Sequence, residues 1–168
     1  MTEKEYNQCV NLYADNVYRF IFKSLGHSAD AEDVVQVAFE KMWINRQQVD
    51  FSRCKSYLFT VAYHQMIDQS RKNKRISLRE DFREEAKVTN SYQNDTKRLL
   101  NEALSKLNDA LSKLNDVQKS LVMLKDYEGY SYQEIGEITG LNESQVKVYL
   151  HRARLILREY IVKLENVL

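Results

Sequence analysis

The chain has 168 residues, enough for one domain or two small ones. It holds no proline and only four glycines, and three of these (Gly26, Gly129, Gly140) stand where a helix would end, so a sheet-rich fold is excluded and an all-α class is expected. A formal net charge of +1 excludes a globally basic protein, and any nucleic-acid contact must come from local patches.

Residues 3–25 read as a first helix, with Tyr6, Val10, Tyr13, Val17, Phe20 and Ile21 on one stripe. His27 to Asp30 reads as a turn. Ala31 to Arg46 reads as a second helix with acidic residues in its first turn, where the helix dipole favours them. Asp33, Gln36 and Glu40 recur at spacings of three and four, opposite Val34, Val35, Ala38 and Met42. Flanked by Val37 and Trp43, that stripe suits a plain solvated face or a docking surface, because Trp at a polar border is common at interaction hot spots.

Asp50 to Lys55 reads as a polar loop, and Ser56 to Arg75 as a third helix ending in Arg71-Lys72-Asn73-Lys74-Arg75. Here Tyr57, Phe59, Tyr63 and His64 mix with Arg53, Lys55 and the basic run. Aromatics that stack on bases, set among cations that neutralise phosphates, are the ingredients of single-strand binding. The same aromatics at helical spacing also suit a core.

From Ile76 to Asp95 the periodicity dissolves into three basic and five acidic residues with few large apolars, which reads as an acidic flexible linker. Ordered helix resumes near Thr96. The expected organisation is therefore two small helical domains, 1–75 and 97–168, joined by a linker at 76–96.

The second domain opens on a tandem heptad: ALSKLND at 103–109 recurs at 110–116. An inserted heptad shifts helical phase by only about 20°, so Leu104, Leu107, Leu111 and Leu114 continue one seam. The repeat reads as a tolerated lengthening of the helix or as a seam for self-association. Asn115 with Gln118 offers an N-cap, which places the helix break there.

Ser131-Tyr132-Gln133-Glu134 reads as a capping box, and Asn142-Glu143-Ser144-Gln145 repeats its logic eleven residues later. Gly140 between them can end the first helix in the left-handed conformation. Two helices joined by a short turn with Gly form the helix-turn-helix pattern, which commonly puts its second helix into the major groove. On that second helix Val146, Leu150, Ala153, Leu157 and Ile161 share one face at about 100° per residue. Lys147, His151 and Arg158 fall roughly opposite, with Val148 and Arg152 beside them. Such a hairpin reads duplex DNA or simply solvates a basic face. Gly136, inside the first helix, suits a close crossing by the second.

Cys9 and Cys54 are far apart, with no CxxC and no His pairing at metal spacing, so neither a structural disulfide nor a metal site is expected, and a reducing compartment is. No nucleophile–base pair, phosphate loop or cofactor motif marks an enzyme. No stretch reaches signal-peptide or transmembrane character, so a soluble, cytoplasmic protein with no direct membrane insertion is expected.

The order of these parts matters. Asp30-Ala31-Glu32-Asp33-Val34-Val35-Gln36 through Phe39 and Trp43, then Tyr57-Leu58-Phe59-Thr60-Val61-Ala62 through Asp68 to Arg75, then Val146-Lys147 through Arg152-Ala153-Arg154 and Leu157-Arg158, resembles the bacterial sigma factors of the extracytoplasmic-function group over nearly the whole chain. The resemblance implies a non-enzymatic subunit that directs RNA polymerase core to promoters and opens the DNA. It implies that Asp33, Gln36, Glu40 and Trp43 dock on polymerase. It implies that the loop with Phe51, Arg53, Lys55 and Ser56, together with His64 and Arg71, Lys72, Lys74 and Arg75, reads and melts the minus-ten element. Lys147, Val148, His151 and Arg152 would read the minus-thirty-five element, with Arg154 and Arg158 on phosphates. Family members are often held by an anti-sigma factor. The chain departs from the family at His64 (usually Asn), Gly136 (usually Ala), Asn115 (often Pro), Gln145 (usually Thr) and Val148 (usually more polar), and in its duplicated heptad.

Overall fold

Helix α1 (Glu3–Leu25) starts on a capping box in which Thr2 and Glu5 satisfy each other's backbone amides, and ends at Gly26 with φ 70°. A computed structural model describes residues 1–77 and 95–167. Most of the acidic linker expected at 76–96 lies outside the described residues.

The chain turns at Gly26 straight into α2 (Ser28–Ile44). His27 caps it, its ring nitrogen accepting from the Asp30 amide at 3.5 Å, so the turn expected over His27–Asp30 is already the first turn of a helix. The helix ends at Ile44, capped by Asn45, two residues before the expected Arg46. One 3₁₀ turn, Phe51–Arg53, then feeds α3 (Cys54–Ser77), which begins inside the expected loop.

The second half comprises α4 (Asp95–Ser112), α5 (Asp116–Val122), a π-turn at Met123–Tyr127, α6 (Tyr132–Thr139) and α7 (Glu143–Val167). The break predicted at Asn115, inside the second heptad copy, is present: Asn115 and Gln118 form a capping box at the start of α5. Leu111 and Leu114 of the seam pack with Ala153, Ile156 and Leu157 of α7. Leu104 and Leu107, one repeat earlier, are exposed. All described regular structure is helical, as composition requires.

In the first lobe α1, α2 and α3 close over Val17, Phe20, Ile21, Ala38, Met42, Leu58, Phe59 and Met66. The same core runs on into the second lobe through Leu121, Leu124, Tyr130, Ile135, Ile138 and Val146. Phe59 is the junction, with ring centroids 5.3 Å from Phe20 and 5.7 Å from Tyr130. Two helical lobes are present as expected, but they share one apolar interior.

Three further expectations are corrected. Cys9 and Cys54 form a disulfide: α1 lies against the start of α3, which brings their Cα atoms to 6.6 Å, within bonding range. Their separation of 45 residues gave no local sign of that contact. Ile161, assigned to the packed face of the last helix, is 48% exposed, because α7 outruns the lobe it packs on. Gly136 does sit at a close approach, but the neighbour is the turn: a Cβ there would lie 2.8 Å from the Leu141 carbonyl oxygen, not against α7.

Candidate nucleic-acid interface

The helix-turn-helix is fixed by its caps. Ser131 and Glu134 exchange hydrogen bonds of 2.7 and 3.2 Å, and Asn142 and Gln145 do the same at 3.0 and 2.8 Å. The backbone and side-chain hydrogen bonds to Ser131 hold the Glu134 carboxyl below its usual range. Gly140 at φ 78° ends α6, and the Thr139 hydroxyl accepts from the Leu141 amide in the turn.

With α6 and α7 so joined, Val146, Leu150 and Ala153 face inward and are buried. Lys147, Val148, His151, Arg152 and Arg158 are exposed along the other side of α7. Lys147 pairs with Glu143 one turn back at 3.1 Å, an exposed pair that a stronger anion can displace. Arg154 is exposed but engaged, donating to the Asp126 carboxylate at 2.9 Å. That hydrogen bond raises its pKa above the ordinary arginine value.

On the first lobe Asp33, Gln36 and Glu40 are all exposed on α2. Trp43 is half-buried at their border, with Arg46 stacked 4.1 Å over its ring and Tyr6 against its edge at 4.9 Å. The indole is thus held rigid without being hidden.

The expected single-strand surface is divided. Arg53, Ser56, His64, Arg71, Lys72 and Arg75 are exposed. Ser56 donates to the Arg53 carbonyl, and His64 Nδ1 lies 2.8 Å from the Thr60 carbonyl, which orients the ring along α3. Phe51 is partly buried against the core. Lys55 points under the second lobe, 3.5 Å from Glu128 and over the Tyr130 and Phe59 rings at 5.0 and 5.8 Å. Lys74 bonds Asp116 at 3.0 Å, and Ser70 donates to the same carboxylate.

A cleft of about 960 Å³ separates Asp50, Arg53, Ser56 and Thr60 on the first lobe from Glu134 and Glu137 on the second. The residues that sequence reasoning missed are those facing the basic surface from the second lobe: Asp116, Glu128 and Tyr130. Asp116 reads locally as an acid in a helix's first turn, and Glu128-Gly129-Tyr130 as a turn. Nothing in the spacing signals that they meet α3.

Two family models match the chain: Sigma-70 region 2 over residues 9–76 and Sigma-70, region 4 over residues 104–157. The chain is 31% identical over 162 residues to the ECF RNA polymerase sigma factor SigE of Mycolicibacterium smegmatis, covering 94% of this chain but only 62% of that relative. It is 29% identical over 153 residues to the RNA polymerase sigma factor YlaC of Bacillus subtilis, covering 90% and 88% of the two chains. Among solved structures, the sigma factor RpoE of Bartonella quintana, crystallised with the anti-sigma factor NepR, superposes with a TM-score of 0.75 at 25% identity, covering 94% of this chain and 97% of that one.

Proposed function

The chain belongs to the extracytoplasmic-function sigma factors, and on that premise we propose that it directs RNA polymerase core to specific promoters by gripping two DNA elements and opening the duplex between them. The observation that carries this reading is the exposure of two separate surfaces: the Asp33–Gln36–Glu40 stripe with the cationic end of α3, and the Lys147–His151–Arg152 face of α7.

In this reading residues 1–75 hold polymerase through Asp33, Gln36, Glu40 and Trp43. The same lobe engages single-stranded minus-ten DNA through Phe51, Arg53, Lys55, Ser56 and His64 and the cations at 71–75. Residues 97–168 read the minus-thirty-five element through Lys147, Val148, His151 and Arg152, with Arg154 and Arg158 near phosphates. Capturing unstacked bases offsets an unstacking cost of a few kcal/mol. Each grip alone is weak, and polymerase supplies the spacing that makes the second contact effectively intramolecular.

The protein then acts as a specificity subunit, with no catalysis of its own, in the cytoplasm where polymerase works. Among the described residues no helix is long and apolar enough to cross a membrane. The solved relative was captured with an anti-sigma factor, and a partner of that class is proposed here too.

Glu40→Lys tests the reading. It reverses charge at an exposed position, so the fold should survive. Core-polymerase pull-down and run-off transcription should both drop. Unchanged pull-down would point instead to a stand-alone helix-turn-helix regulator.

A further inference from the structure

We propose that the first copy of the tandem heptad is a self-association seam: Leu100, Leu104 and Leu107 of α4 pair with the same residues of a second copy of this chain.

The repeat supplies its own control. Its two copies are identical, ALSKLND at 103–109 and at 110–116. In the second copy Leu111 and Leu114 are each 5% exposed, packed with Ala153, Ile156 and Leu157 of α7. In the first copy the equivalent Leu104 and Leu107 are 44% and 45% exposed, and Leu100, one turn earlier, is 59% exposed. Every residue from Arg98 to Asp109 is exposed. Among the described residues α4 is anchored at its C-terminal end, where Ala110 and Leu111 are buried, and its preceding turns stand clear of the lobe. Lys23 of α1 bonds Asn108 at 2.8 Å, which marks where the seam leaves the lobe.

The pattern points to the occupant. Leu100, Leu104, Leu107, Leu111 and Leu114 alternate spacings of four and three, the a/d seam of a coiled coil. In that register the flanking e and g positions beside the exposed leucines hold Asn101, Ala103 and Asn108. Charge at such flanks sets partner choice. Here they carry none to repel an identical helix or to select a different one. The helix's own ion pair, Lys106 with Glu102 at 3.1 Å, lies on the side away from the seam.

Anchorage sets the orientation. An antiparallel pair about a two-fold axis places the two molecules at opposite ends of the seam, whereas a parallel pair would crowd them together. Length sets the strength. A lone helix of about twelve residues is marginal in water, and pairing buries the leucines that otherwise face solvent. A seam of about 18 Å is short, so the dimer is weak and concentration-dependent.

Sedimentation equilibrium of the full chain, over about a hundredfold range of micromolar concentration, tests this. The mass should climb from that of one chain toward that of two. Leu104→Glu/Leu107→Glu sets like charges against each other across the axis. Both positions are exposed, so melting should be unchanged while the dissociation constant rises at least about tenfold. Amide exchange over 98–109 should slow as concentration rises. A chain that stays monomeric across the range overturns the proposal, and so does a dimer that the double variant leaves intact. Slow exchange over 98–109 at every concentration in a monomer also overturns it, because another part of the same chain then covers the seam.

Discussion

Ser70, near the end of α3, donates its hydroxyl hydrogen to the Asp116 carboxylate in the first turn of α5, across the boundary between the lobes. Lys74 joins them at 3.0 Å. Partial burial of Asp116 pushes its pKa up, but the Ser70 and Lys74 hydrogen bonds and the charges of Lys74 and Lys119 outweigh it, so the net shift is downward from 3.8. A carboxyl whose pKa is lower folded than unfolded stabilises the closed form above its unfolded pKa and loses that contribution as pH falls through the folded value. The contact between lobes should therefore be insensitive to pH at 5 and above and loosen below about 4. Scattering or interlobe energy transfer across an acid titration measures this. Asp116→Asn should flatten the transition; an unchanged titration in that variant would assign it elsewhere.

The disulfide yields a second prediction. Cys9 and Cys54 are both buried and tie α1 to the start of α3. For a separation of 45 residues, chain-entropy arithmetic gives about 4 kcal/mol of stabilisation. In a chain of this size that is roughly 10 °C in melting temperature. Melting with and without a phosphine reductant, alongside a thiol count, checks it. Identical curves once two thiols have been titrated would mean that the bond contributes nothing to stability.

What the sequence made legible was local. The caps at Asn115, Ser131 and Asn142, the glycine stops at Gly26 and Gly140, and the buried stripe Val146–Leu150–Ala153 all follow from residues within one or two turns of each other. Contacts at long separation did not follow. Lys55 meets Glu128, Cys9 meets Cys54 and Arg154 meets Asp126, and in each case both partners carry a complete local explanation as a solvated charge or an inert thiol. The basic run on α3 was visible as a chemical surface. Its partial occupation by the second lobe was not, because that depends on Phe59 and Tyr130 packing through a shared core.

Gly136 gives a prediction opposite in sign to helix propensity. Gly→Ala in a helix interior normally gains up to about 1 kcal/mol. Here the added Cβ would lie 2.8 Å from the Leu141 carbonyl oxygen, a backbone atom in a turn already fixed by Gly140 and Thr139. Relieving that overlap costs about 1–3 kcal/mol. Gly136→Ala should therefore lower stability on balance, read as an earlier urea midpoint. A later midpoint would show that the turn yields freely.

Arg152 and Arg154 lie two residues apart on α7 yet should behave differently toward promoter DNA. Arg152 is exposed beside His151 and Val148 on the face turned away from the core, where a guanidinium can reach base edges. Arg154 is tethered to Asp126 on the flank, so it must exchange one anion for another to touch a phosphate. For Arg152→Ala the expected loss is about 1–3 kcal/mol of discrimination between matched and mutated upstream elements. For Arg154→Ala it is a small loss on every template alike, with a shallower salt dependence. Run-off transcription by the polymerase complex on paired templates measures both. Equal loss on all templates for Arg152→Ala would move that residue from base reading to backbone contact, while a template-selective loss for Arg154→Ala would mean that the Asp126 tether opens on binding and aims the guanidinium into the groove.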